Sequence, residues 1–250
     1  MMHIQAATKY RLVNYYRLLG IFFLYWLFFS IVLPGIFAVS ADAPISIGNP
    51  VISAFIYSGV ATLFVTSKGL KFLFQNGVSR KTMFISSILT IVLGSFSLLL
   101  ISDFFQYLTS KLPFIHVIDD FTKVYGHHFN STLGNFFAVF GLGMMIMIAF
   151  SSIFLLFGTL FSVLTKTQKM TFMGLLVFIP SVLVVVFQRF SNTAWLRLLD
   201  AGKYVIGMPK SSLDFTPFHP MVFSFIIFLV CSVFYYMVVS NIQLNMLKED

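Results

Sequence analysis

The chain has 250 residues, of which 58% are hydrophobic and only 10% charged, with a formal net charge of +8. A water-soluble domain carries about 25% charged residues, so too few polar side chains remain here to coat a water-facing surface, and lipid must be the solvent for much of the chain. The basic residues fall between apolar runs rather than along one soluble face, which argues against nucleic acid as a partner, and the single cysteine, Cys231, rules out a disulfide framework or a cysteine-based metal site.

In chain order, His3 to Arg17 is a polar, basic flank with Lys9, Arg11 and Arg17 as its charges. It reads either as a short amphipathic helix lying along the inner membrane surface or as an unstructured flank that orients the first span. Residues 18–39 form that span, long enough for a hydrocarbon core of about 30 Å, with Pro34-Gly35 toward its outer end. A cleaved signal peptide is the competing reading, because Val39-Ser40-Ala41 has small residues at a cleavage-like position. The apolar run exceeds the usual signal core of roughly 7–15 residues, so retention is expected. After a short outer turn, Asn49 is placed to cap and Pro50 to open the second span, residues 51–70.

A basic island follows, Ser67 to Thr82, holding Lys68, Lys71, Arg80 and Lys81 without an acidic residue. Asn76-Gly77 is a turn signal, and Ser79 stands where an N-cap would open the third span, residues 83–102. Asp103 to Thr132 is a polar segment with His116, Asp119, Asp120, His127 and His128, but adjacent histidines do not face one another on a helix and no metal-ligand spacing is present. Residues 133–164 make a fourth, uncharged run longer than a bilayer core requires. It must tilt, bend near one of its glycines or continue into the cytoplasm. Residues 170–187 are the fifth span, with Pro180 kinking it, and residues 221–240 the sixth. Between them lies an outer segment with its own short helix. Trp195, Leu198 and Leu199 share one face of it and Gly202 is placed to end it.

The expected fold is therefore an all-α polytopic membrane protein. It is a single transmembrane domain over residues 1–250, with six spans, an amphipathic N-terminal interface helix and an outer half-helix hairpin before the last span. Six spans put both termini on one side. That side carries ten Lys and Arg against six on the other, and six of the eight acids lie on the other side. The positive-inside rule places both termini and the basic island in the cytoplasm. No Walker A motif and no zinc-protease motif occurs, so the chain is not expected to bind ATP or to be an enzyme. Apart from Lys68 at the inner end of the second span, no charge sits in these spans, and none lies in a span's interior, which argues against an ion-coupled carrier.

The string Asn76-Gly-Val-Ser-Arg-Lys-Thr-Met-Phe84 resembles the cytoplasmic loop between spans two and three of ABC-2 type ABC transporter permeases of Gram-positive bacteria. The basic flank, six spans and late outer half-helix are similar to that family's layout. The resemblance implies a membrane subunit without bound cofactor, paired with two copies of a separate ABC ATPase that carries ATP and Mg. A second permease copy or a sister chain would complete the exporter in the cell membrane. It also implies a coupling segment over Phe72, Phe74, Gln75, Asn76, Gly77, Val78, Ser79, Arg80 and Lys81, with Arg80 and Lys81 facing acids on the ATPase. Lys9, Arg11 and Arg17 would belong to the interface helix, and Trp195, Leu198, Leu199 and Gly202 to the outer hairpin. The cargo implied by the Phe- and Met-rich spans is amphipathic or hydrophobic: a lipid, a drug or an antimicrobial peptide. The alternative is a membrane immunity or sensor protein that binds a peptide through its outer segments and needs no ATPase.

Overall fold

A computed structural model describes residues 4–41, 45–112, 115–118, 120–165, 167–172, 174–175, 178, 182, 192–208 and 215–242. The elements are α1 (Ile4–Leu27), a π-helical turn (Phe28–Val32), α2 (Leu33–Ala41), β1 (Ile45–Gly48), α3 (Pro50–Gln75), α4 (Arg80–Thr109), β2 (Ile115–Ile118), α5 (Asp120–Tyr125), α6 (Thr132–Val163), α7 (Asn192–Val205) and α8 (Phe218–Asn241). Among the described residues five helices are long and apolar enough to cross a membrane: Ile4–Phe37, α3, α4, α6 and α8. The chain is a multi-pass helical membrane protein. The expected span over 170–187, with its Pro180, lies largely outside the described residues.

The basic flank and the first span are one helix, with no break at Arg17. The interruption comes later, at the π turn, where the amide of Leu33 donates to the carbonyl of Phe28. Pro34 supplies the reason. It has no amide to give and its ring crowds the carbonyl four residues back, so the helix widens by one residue just ahead of it.

α3 opens as its sequence requires. The Asn49 side chain accepts from the Val51 amide at 2.8 Å, and Pro50 occupies the first turn. α3 and α4 both run beyond the expected spans, to Gln75 and from Arg80 to Thr109, so that only Asn76–Ser79 separates them. α6 is unbroken from Thr132 to Val163, with Ser131 accepting from the Gly134 amide at its start. Gly158 lets it approach α3 closely. A Cβ on Gly158 would stand 2.9 Å from the Leu63 carbonyl oxygen and 3.1 Å from the Thr66 Cβ. Close backbone approach through small residues is how helices associate where lipid removes the hydrophobic drive.

Two buried clusters follow. One, toward the α3–α4 turn, joins Ala7, Leu70, Leu73, Met83, Leu155 and Tyr235. The other, toward the opposite end, joins Tyr15, Leu19, Val51, Ala54, Leu98 and Met147. Between α4 and α8, Ser87 and Tyr235 share a buried hydrogen bond of 2.6 Å.

The all-α expectation needs one amendment. β1 and β2 pair as a parallel ribbon, Ile45 with Ile115 through Gly48 with Ile118. The polar segment from Asp103 onward is likewise structured in part: its first residues complete α4, and β2 and α5 follow.

Candidate functional site

The α3–α4 turn is built from local signals. The Val78 amide donates to the Leu73 carbonyl at 3.1 Å and the Gly77 amide to the Phe74 carbonyl at 3.0 Å. Gly77 takes the left-handed conformation this closure demands, at φ +66°, and Leu73 and Val78 are buried in one cluster. This pair of bonds with its apolar contact is a Schellman closure. Ser79 then accepts from the Thr82 amide at 3.2 Å and starts α4. The turn is fixed from both sides, and its rim is solvent-accessible: Gln75, Asn76, Gly77, Ser79, Arg80 and Lys81 are all exposed, whereas Val78 is buried. The coupling segment implied by the resemblance is thus the close of one helix and the opening of the next, with no separate helix between them.

Two contacts brace this turn against the rest of the bundle. Phe72 stacks on Tyr10 of α1, with centroids 4.4 Å apart and planes 20° from parallel. Arg80 donates from Nη2 to the Ile242 carbonyl at 3.1 Å, just past the end of α8. Phe74 packs against the cluster that holds Leu73 and Val78.

Of the three charges assigned to the interface helix, Lys9 and Arg17 are exposed. Arg11 is not: it is 1% exposed, and neither its Nε nor its Nη2 meets a hydrogen-bond acceptor. The cause is periodicity. Ala7, Arg11, Tyr15 and Leu19 recur every four residues and form the buried stripe of α1, so Arg11 enters the bundle rather than the membrane surface.

In the segment before α8, Trp195, Leu198, Leu199 and Gly202 all lie on α7. The side chains of Trp195 and Leu198 are outside the described set, and Leu199 is 40% exposed. Gly202 does not end the helix. α7 continues to Val205 and closes at Gly207, φ +78°, where the Gly207 amide donates to the Tyr204 carbonyl at 3.1 Å and the Met208 amide to the Lys203 carbonyl at 2.8 Å. Gly207 also lies against the next segment, because its carbonyl accepts from the Thr216 amide at 3.0 Å. Beyond it, Thr216 Oγ1 and His219 Nδ1 are 2.7 Å apart, and the Tyr204 ring lies 4.6 Å from the His219 ring. Tyr125 of α5 donates its hydroxyl to the Ile206 carbonyl at 2.9 Å, and burial pushes that phenol's pKa up.

A feature that sequence reading missed lies at the end of the bundle opposite the α3–α4 turn. A cavity of about 680 Å³ opens between the last turns of α4, the α5 segment and the first turns of α6. Asp103, Gln106, His127 and Asn135 give it polar groups, and Phe136 and Phe140 an aromatic wall. The available signal was helical spacing: Asp103 and Gln106 are three apart on α4, and Phe136 and Phe140 four apart on α6. Nothing in the sequence indicated that these two helix ends converge. Among the described residues no group of three His, Cys, Asp or Glu is arranged to hold a metal ion.

Comparison with protein-family models, curated proteins and solved structures finds no match to this chain.

Proposed function

We propose that the chain is the membrane-embedded subunit of an ATP-driven exporter, with the α3–α4 turn as its docking point for a separate ABC ATPase. The observation that carries this reading is the construction of the turn. It is hydrogen-bonded at both ends, basic and exposed, and it is tied to α1 through Phe72 and to α8 through Arg80. A solvated loop whose charges only fixed topology would need neither brace. An element that receives a push needs both, because force applied at Arg80 and Lys81 then reaches the helices on either flank. ATP and Mg would be held by the partner, and two permease copies, identical or sister chains, would enclose the path of an amphipathic cargo. In this reading the turn and both termini are cytoplasmic, in agreement with the distribution of Lys and Arg.

The test is co-expression with an ABC ATPase, taken from beside this chain's gene if one is encoded there, followed by recovery in mild detergent. The native chain should retain the ATPase, and Arg80→Glu with Lys81→Glu should lose it. Because Arg80 also holds Ile242, Lys81→Glu alone is the cleaner arm and should weaken recovery without loosening α8. If the native chain recovers no ATPase in several detergents, the reading fails, and a peptide-binding membrane protein working through the opposite end takes its place.

A further inference from the structure

A groove of about 450 Å³ runs along the outside of the bundle between α1 and α4. Gln5, Lys9, Leu12, Val13 and Tyr16 of α1 line it together with Leu89 of α4. Its hydroxyls are already engaged. Thr8 donates to the Ile4 carbonyl at 2.8 Å, and Tyr16 shares a 3.0 Å hydrogen bond with Ser97. The wall left to a ligand is almost wholly carbon. Among the described residues that line it, Lys9 is the one charge, and Lys9 is exposed.

The depth of the groove follows from its neighbours. Tyr10, next to Lys9, stacks on Phe72, and its ring lies 3.7 Å from where a Cβ on Gly69 would stand. Lys9 is therefore level with the last turns of α3, where the uncharged run 51–67 gives way to Lys68. A lysine at such a boundary marks where a helix leaves the hydrocarbon layer. From Lys9, the positions Leu12, Val13 and Tyr16 follow α1 into that layer. Arg17 stands two turns beyond Lys9 on the same stripe, through Val13, and is exposed. Helical side chains tilt toward the N-terminus, so its guanidinium leans back toward the level of Lys9.

A dry trough with cations at its boundary end matches the outline of a phospholipid. A zwitterionic lipid offsets its phosphate with its own ammonium, whereas an anionic lipid leaves the phosphate charge to the protein. We propose that this groove binds an anionic phospholipid, with its phosphate at Lys9 and Arg17 and an acyl chain along Leu12, Val13, Tyr16 and Leu89. The site is independent of the α3–α4 turn and stands whether or not that turn docks an ATPase.

The experiment is native mass spectrometry of the purified full chain in detergent, titrated with dioleoylphosphatidylglycerol and, separately, with dioleoylphosphatidylcholine, which has the same chains and no net charge. The native chain should hold the first phosphatidylglycerol at least five-fold more tightly. Lys9→Gln alters an exposed side chain and should weaken phosphatidylglycerol binding roughly five-fold, the weight of one basic residue at a membrane surface. Leu89→Trp, which fills the groove from α4 and keeps both cations, should weaken the binding of both lipids. Equal affinity for the two lipids, native-like phosphatidylglycerol binding by Lys9→Gln, or native-like lipid binding by Leu89→Trp overturns the proposal.

Discussion

The ring of Tyr10 lies flat on the ring of Phe72, 4.4 Å from centroid to centroid, and this contact joins α1 to the last turn of α3. A stacked aromatic pair contributes about 0.5–1.5 kcal/mol beyond the area it buries. That is small against the stability of a helix bundle and large for a hinge. Tyr10→Ala should therefore leave the protein folded and, if the α3–α4 turn receives force from an ATPase, lower permease-stimulated ATP hydrolysis while ATPase recovery persists. Tyr10→Phe should behave as the native chain. Equal hydrolysis in the Ala and Phe variants would remove the stack from the coupling route.

Gly158 and Gly59 both face the α3–α6 contact, yet they should respond differently to a methyl group. At Gly158 the new Cβ meets backbone, the Leu63 carbonyl at 2.9 Å. At Gly59 it meets the rings of Phe154 and Phe150 at 2.7 and 2.8 Å, side chains that can swing. Overpacking against an unyielding neighbour costs about 1–3 kcal/mol. Gly158→Ala should lower the detergent-phase melting temperature more than Gly59→Ala. The reverse order would mean that the helices part more easily than the rings turn.

Arg11 buries a guanidinium with two nitrogens that meet no acceptor. A buried cation two of whose nitrogens meet no acceptor among the described residues is a net cost, and replacing buried ionic groups by apolar ones of similar volume is often neutral or stabilising by about 1–4 kcal/mol. Arg11→Met keeps the unbranched stem and removes the charge, so thermal stability should rise, while Lys9 and Arg17 preserve the basic flank. A fall in stability would show that the guanidinium is held by a group that binds the protein in the membrane.

Tyr125 gives the far end a dependence on alkaline pH. Its phenol sits above the ordinary value of about 10 because burial disfavours the phenolate, and its hydroxyl donates to Ile206. The neutral form is the one favoured in the fold. Its contribution is complete below the unfolded value and is lost as pH rises through the folded one. The melting temperature of the native chain should fall more steeply above about pH 10 than that of Tyr125→Phe, with the two curves converging at the highest pH. Parallel curves would remove Tyr125 as the cause.

Much of the bundle was legible because its signals are local. Asn49-Pro50 starts a helix, Asn76-Gly77 closes one and Ser79 starts the next, each by bonds reaching only a few residues. Where reading erred, the deciding contact was distant or two residues competed. Gly202 and Gly207 both follow an amphipathic stretch, and the choice fell to Gly207, whose carbonyl also takes up the Thr216 amide. Arg11 looked like a surface charge by type, but its stripe with Ala7, Tyr15 and Leu19 turns it inward. The strands Ile45–Gly48 and Ile115–Ile118 are too short to announce themselves, and each is meaningful only beside the other. The cavity, in the same way, needs α4 and α6 to end side by side.

The parallel ribbon has a consequence for assembly. A parallel pair needs a crossover, and here the crossover is the whole α3–α4 hairpin, running down to Gly77 and back. Each arm is roughly 40–45 Å long at 1.5 Å per residue. β1 is synthesised well before its partner and must wait until both helices are seated before β2 can arrive alongside it. The ribbon can pair only after that hairpin has folded back, so protection of its amides from exchange reports a chain whose second and third membrane helices are both in place.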